Sequence, residues 1–254
     1  MIPKVIHLCW LSGDAYPQKI ARCLDSWKKI LPDYEVMLWD TKRFPLGQSQ
    51  WVREAFEARK YAFAADYIRF YALYHHGGIY MDSDVEVLRR FDDLLDLPYF
   101  IGAEKAGTPE AAIIGAEAGC DWIKQCLDYY DGRPFKKADG SLDIRKLPEI
   151  MMEQMGLLKP VRVLSTEESK LIRQMDMQRE VLVMSDDYFS PKVFDSREVE
   201  ITPDTYAIHH YQNSWFSPKA KAYYRTRTRL IRLFGYNFVR KAEMMLMPWK
   251  FAGK

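Results

Sequence analysis

Apolar positions along this chain fall into short blocks separated by Gly, Pro and polar clusters, and the spacing inside each block selects its element. Residues 5–10 form a short apolar strand. Over 17–30, Ile20, Leu24, Trp27 and Ile30 recur at helical spacing, Pro32-Asp33 marks a turn, and 34–39 is a second strand. A strand–helix–strand opening predicts a parallel α/β sheet. Residues 50–76 are helical and lead past Gly77-Gly78 into Ile79-Tyr80-Met81, a buried strand ending at Asp82. Val85, Val87 and Leu88 allow a further extended segment, and 99–103 and 111–114 are strands around a loop with Gly107 and Pro109. Residues 132–140 are a polar loop. Helices over 147–155 and 167–175 flank a strand at 161–164, strands recur at 181–184 and 206–211, and helices over 219–234 and 236–247 follow.

Size and charge narrow this picture. At 254 residues with 48% hydrophobic content, one sizeable core is expected, hence one domain with at most a small appendage. No run of about 18 apolar residues offers a spanning helix, and Pro3 and His7 stand where a signal peptide would be apolar, so secretion is not expected. Cys9, Cys23, Cys120 and Cys126 lack zinc-ligand spacing and read as reduced core thiols of a cytoplasmic protein. Charge is segregated: 219–254 holds ten Lys/Arg against Glu243, which leaves 27 basic and 34 acidic residues in 1–218. An acidic body without a recognition motif speaks against nucleic acid.

Candidate chemistry centres on Asp82-Ser83-Asp84. Side chains at i and i+2 of an extended chain point the same way, so the two carboxylates can share one ligand. Like charges so close need a cation or a donor between them, and oxygen ligands suit Mg²⁺ or Mn²⁺, the ions that carry phosphates. Other readings compete. A solvated strand end is the plainest. An EF-hand fails because its sixth position holds Val87 where glycine is required. A haloacid-dehalogenase phosphatase also places Asp-x-Asp after an apolar strand, with Ser185-Asp186-Asp187 as its downstream acidic motif. Within the apolar helix before this strand, Asp66 and Arg69 share one face, either as a structural ion pair or as a site lining. Adjacent His209 and His210 on a strand face opposite ways, so one of them can complete a metal shell.

The segments 2–10, 61–69, 77–84 and 209–215 resemble, in order, those of glycosyltransferase family 32, sugar transferases of the capsular-polysaccharide and yeast mannosyltransferase type with a DXD motif. Large clostridial glucosylating toxins are similar in catalytic core. The likeness covers about 1–110 and 205–216. It implies an α/β, GT-A-type Rossmann-like nucleotide-sugar-binding domain over 1–218, a nucleotide-sugar donor, Mn²⁺ or Mg²⁺, and transfer with retention. By position, Trp10 is the aromatic that stacks on the donor base, Asp66 and Arg69 hold the sugar hydroxyls and diphosphate, and Tyr80 lies on the donor side. Asp82 contacts ribose and sugar, Asp84 ligates the metal directly, His209 rather than His210 completes the shell, and Ser214 and Trp215 close over the diphosphate. Trp10 stacking favours a UDP-sugar, while the mannosyltransferase likeness keeps GDP-mannose open.

The expected acceptor is a glycan or lipid-linked glycan in surface polysaccharide synthesis. The 219–254 extension, with Arg225, Arg227, Arg229, Arg232, Arg240 and Lys241 among Leu230, Ile231, Leu233, Phe234, Phe238 and Trp249, is either a solvated helix pair or a peripheral dock on anionic lipid at the inner face of the plasma membrane. A non-enzymatic alternative, an inactive membrane-surface scaffold, is opposed by the intact Asp66, Arg69, Asp82 and Asp84.

Overall fold

The computed structural model describes residues 1–105, 107–192, 199–211 and 218–246. Strand β1 (Val5–Cys9), helix α1 (Gln18–Ile30) and strand β2 (Glu35–Trp39) form the predicted opening, with β1 and β2 parallel from Val5↔Glu35 to Cys9↔Trp39. The predicted 50–76 helix is two helices, α2 (Gln50–Glu57) and α3 (Tyr61–His76). The break falls where Arg59 takes a left-handed φ of 55°. Trp51 ties the two together by donating its indole N–H to the Phe63 carbonyl at 2.7 Å. From Phe63 to Leu73, α3 is buried almost throughout, as its unbroken apolar run requires.

Strand β3 (Gly78–Met81) lies parallel to β1, with Ile6 opposite Ile79 and His7 opposite Tyr80. The start of β3 is fixed by two glycines and a histidine. Gly77 and Gly78 have φ of 62° and 105°, and a Cβ on Gly78 would stand 2.6 Å from the Val5 carbonyl oxygen, so no larger residue fits. Buried His7 places Nε2 2.6 Å from the Gly77 carbonyl and accepts the Trp39 indole N–H on Nδ1 at 3.1 Å. Those partners set its tautomer, with the proton on Nε2.

Beyond β3 the parallel expectation needs correction. Strand β4 (Val85–Val87) leaves the main sheet, and β5 (Tyr99–Ala103) and β6 (Pro109–Ala116) return as an antiparallel pair. Strand β6 also pairs antiparallel with β3, giving the order β2-β1-β3-β6-β5. A short loop can join β5 to β6 because antiparallel neighbours need no crossover helix. The α/β class stands, with a parallel half and an antiparallel half.

The remaining elements are α4 (Asp121–Asp128), α5 (Leu147–Leu158), β7 (Val161–Val163), α6 (Thr166–Lys170), β8 (Val181–Val183), β9 (Ala207–His209), α7 (Pro218–Phe234) and α8 (Tyr236–Leu246). Helix α4 has no counterpart among the elements read from sequence. Its eight residues bury Trp122, Ile123, Cys126 and Leu127 against the core. Strand β9 pairs with β4 and β7 with β8, each as a two-stranded ribbon. The four cysteines are free, and burial pushes the Cys23 and Cys120 thiols up to about 12, leaving them inert. No described helix is long and apolar enough to cross a membrane.

Candidate active site

Asp82 and Asp84 do not sit on an extended chain, as the i, i+2 argument supposed. They occupy the turn between β3 and β4, closed by a hydrogen bond from the Val85 N–H to the Asp82 carbonyl at 3.1 Å. The Asp82 N–H in turn donates to the Ala112 carbonyl of β6 at 2.8 Å, and Trp27 of α1 donates to the Val85 carbonyl at 2.7 Å. A turn pinned on both sides brings the carboxylates together by a different route from the one predicted.

The third member arrives through strand pairing. Val85 lies opposite His209 in the β4–β9 ribbon, and the His210 N–H donates to the Asp84 carbonyl at 3.1 Å. His209 thereby places Nε2 3.5 Å from Asp84 Oδ1, whereas His210 turns its ring to Glu86 at 2.8 Å. One ligand atom each from Asp82, Asp84 and His209 lie within 4.8 Å of one another. Two carboxylates and an imidazole are a donor set that suits Mn²⁺ and accommodates Mg²⁺.

Electrostatics fit such a site. Burial pushes the Asp82 carboxyl upward against the opposing pull of Arg69 and His209, and the Asp84 charge adds to the rise. Burial alone would lower His209, but Glu110 and Asp84 together hold it well above the usual imidazole range. An imidazolium beside the acids occupies the electrostatic place of a cation, and an ion taking Nε2 must displace that proton.

The donor side is a chain of contacts running inward from Asp82. Tyr80 donates its hydroxyl to Asp82 at 2.8 Å, Arg69 Nη2 reaches Asp82 at 3.4 Å and Asp66 at 3.1 Å, and Arg69 Nη1 donates to the Ala111 carbonyl. The guanidinium lies 4.4 Å over the Tyr80 ring. Arg69 is 5% exposed at its side chain, Asp66 12% and Asp82 29%, so the network opens to the surface at Asp82. Arg69 Nη1 and Nη2 are therefore committed to holding the two aspartates and β6, with Nε and the Tyr130 hydroxyl buried without partners among the described residues. Burial pushes Asp66 up to about 7, the Asp82 charge helping and Arg69 opposing.

Trp10 follows β1 at the carboxyl edge from which Asp82 follows β3, the edge where α/β sheets bind ligands. It is half-buried, donates its indole N–H to the Asp14 carbonyl at 2.8 Å, and sets its ring 4.9 Å from that of Tyr16. Ser214 and Trp215 lie outside the described residues.

Three residues with no role in the sequence reading join the site. Glu110, the second residue of β6, is 5% exposed and accepts hydrogen bonds from the Ala112 N–H at 3.0 Å, Ser190 Oγ at 2.9 Å and the Tyr211 hydroxyl at 2.8 Å. Its Oε2 lies 3.3 Å from His209 Nδ1. No local signal marks it, since the apolar run there begins at Ala111 and leaves Glu110 in the loop before it. The phosphatase alternative loses its second motif: Asp186 pairs with Lys105 at 2.8 Å, Asp187 accepts from Thr166 and Thr202, and neither joins the group of Asp82, Asp84 and His209.

Residues 17–101 match the glycosyltransferase sugar-binding region containing the DXD motif, and Asp82-Ser83-Asp84 is that motif. Inositol phosphoceramide mannosyltransferase 3 of Schizosaccharomyces pombe is 34% identical over 130 residues, 50% of this chain and 36% of that protein. A mannosyl phosphorylinositol ceramide synthase of Saccharomyces cerevisiae is 34% identical over 108 residues, 40% of this chain and 28% of that protein. The chain thus spans about a third of these relatives' length. Among solved structures, the PaToxG glycosyltransferase aligns with a TM-score of 0.47 at 20% identity, covering 62% of this chain and 69% of that one.

Proposed function

From a chain that carries the DXD-containing glycosyltransferase sugar-binding region, we infer a hexosyltransferase that moves a sugar from a nucleotide-sugar donor to a glycan or lipid-linked glycan acceptor. The observation that carries this reading is the convergence of Asp82, Asp84 and His209 within 4.8 Å, on the sheet edge that also presents Trp10 and the Arg69 network. The acceptor class draws support from the inositol phosphoceramide in the relatives' names.

Asp84, Asp82 and His209 would hold Mn²⁺ or Mg²⁺, which supplies charge compensation to the departing nucleoside diphosphate. The protein's own residues prepare that event. Arg69 holds Asp66 and Asp82 side by side, so that two carboxylates face one sugar. Asp66, titrating near neutrality, can accept or donate a hydrogen bond to a donor hydroxyl. Trp10 offers an aromatic face for the base, which supports a uridine donor, while the mannose in the relatives' names gives GDP-mannose a place in the same test. Transfer with retention belongs to this reading.

A thermal-shift panel of UDP- and GDP-sugars with and without Mn²⁺ tests it. One donor is expected to raise the melting temperature by roughly 5–10 °C at a hundredfold excess over Kd, in a metal-dependent way. No shift with any donor would refute the reading. Phosphomonoester hydrolysis in its place would restore the phosphatase.

A cytoplasmic enzyme docking peripherally on the inner face of the plasma membrane through 219–254 is part of the proposal. Helices α7 and α8 expose Leu233 (74%), Phe238 (61%) and Met245 (81%) beside exposed Arg225, Arg229 and Lys241. Glu243, the acid of this segment, is turned inward onto Arg227 at 2.7 Å and Tyr223 at 2.5 Å, so the outer face is left basic. Apolar side chains beside cations that have no ion pair among the described residues suit an anionic bilayer.

A further inference from the structure

Glu110 meets the metal group through the imidazole of His209. One edge of that ring, Nε2, faces Asp84, and the opposite edge, Nδ1, faces Glu110 Oε2. We propose that Glu110 is the positioning residue for His209: by accepting the Nδ1–H it fixes the tautomer and ring orientation that direct the Nε2 lone pair into the space where Asp82 and Asp84 would hold a cation. The inference rests on the metal reading above and deepens it.

Three features of the geometry support the assignment. Among the described residues, every polar contact of the carboxylate is with a group that can donate: the Ala112 N–H, the Ser190 and Tyr211 hydroxyls and His209 Nδ1. The hydroxyl of Tyr211 and the ring of His209 arrive on the same oxygen, so an acceptor shared by both sets their relative placement. Tyr211 itself holds a left-handed φ of 52°, a conformation a tyrosine adopts only when its surroundings enforce it. Its ring centroid lies 4.0 Å from that of His209. Together the two clamp the imidazole, Glu110 by its edge and Tyr211 by ring contact. A hydrogen-bonded carboxylate behind a ligating histidine raises the basicity of the metal-facing nitrogen and restrains the ring.

The alternative is a purely structural ion pair, in which Glu110 offsets a buried histidine and has no bearing on the ion. Metal affinity separates the two. Titration of Mn²⁺ alone into the full chain, with free Mn²⁺ followed by electron paramagnetic resonance, gives a dissociation constant that is independent of turnover. Glu110→Gln is expected to raise it 10- to 100-fold, with Glu110→Asp recovering part of the loss. In a double-variant cycle, Glu110→Gln is expected to cost nothing further once His209→Ala has removed the ring. Tyr211→Phe, which keeps the ring and removes one donor, is expected to weaken binding severalfold and serves if Glu110→Gln fails to fold. Wild-type affinity in folded Glu110→Gln or in Tyr211→Phe, or losses that multiply in the double variant, would overturn this inference alone. A wild-type chain that takes up no Mn²⁺ would overturn the metal reading, and this inference with it.

Discussion

The carboxylates of this site divide their work by the partners they meet, Asp84 beside His209 and Asp66 beside Arg69. Asp84, beside His209, is the residue on which ion binding turns, and Asp84→Asn is expected to abolish sugar transfer while leaving the melting temperature within about 2 °C of wild type, checked by donor turnover and thermal unfolding. Asp66 carries a pH signature. Its carboxyl is pushed from 3.8 up to about 7 in the folded protein, so between pH 4 and pH 7 the native state holds a proton that the unfolded chain has released. Its contribution to stability is therefore present at the acid end of that window and falls as pH rises through it. Asp66→Asn, which cannot ionise, is expected to gain on wild type by roughly 1–3 kcal/mol between pH 5 and pH 8; a constant difference in urea midpoint across that range would refute the assignment. Asp82 and Asp84 were legible in the sequence because an apolar strand and two glycines frame them. Glu110 was not, because its partners, Ser190, His209 and Tyr211, lie 80 or more residues away in the chain, and no local pattern records such a meeting.

At the level of elements, the start of β3 decides where the site stands. Gly78→Ala would press a Cβ against the Val5 carbonyl at a φ that L residues avoid, and a loss of about 2–4 kcal/mol in urea unfolding is expected. His7, beneath the same turn, is lowered from 6.5 to about 4 by burial, with the Gly77 carbonyl opposing. It stays neutral in the fold while the unfolded chain takes up a proton below pH 6.5, so this contribution is lost as pH falls from 6.5 towards 4. His7 and Asp66 thus pull in opposite directions over the same range. His7→Gln is expected to flatten the acid-side fall in stability, and an unchanged slope would remove His7 as its cause. Periodicity located the long helices and the first three strands well, since each carries its own spacing. It could not foresee that β6 runs antiparallel to β3, because both faces of those strands are buried and a uniformly apolar run has no direction. Nor could it foresee the turn at Asp82-Ser83-Asp84, whose shape depends on Ala112 of another strand.

Taken whole, the molecule is electrically divided, and the division was fully legible because charge is counted without knowing the fold. The exposed cations of α7 and α8 predict binding of the full chain to vesicles containing anionic lipid, weakened steeply by salt, and little binding to zwitterionic vesicles. Arg225→Gln together with Arg229→Gln is expected to lower partitioning roughly 30-fold in a flotation assay, at about 1 kcal/mol for each cation. Binding unaffected by these changes, or by salt, would refute the dock.

The pairing of β4 with β9 has a bearing on how the protein comes into being. Two of the three candidate ligands are synthesised by residue 84, but the third waits for residue 209, and β9 must return to β4 before the three can meet. A chain arrested between residue 84 and β9 holds every donor-side carboxylate and still lacks the imidazole. The ion would then join points far apart in the chain and close a long loop at the moment of completion. Competence for the ion becomes a report that the whole body, from first strand to last, has been made and folded.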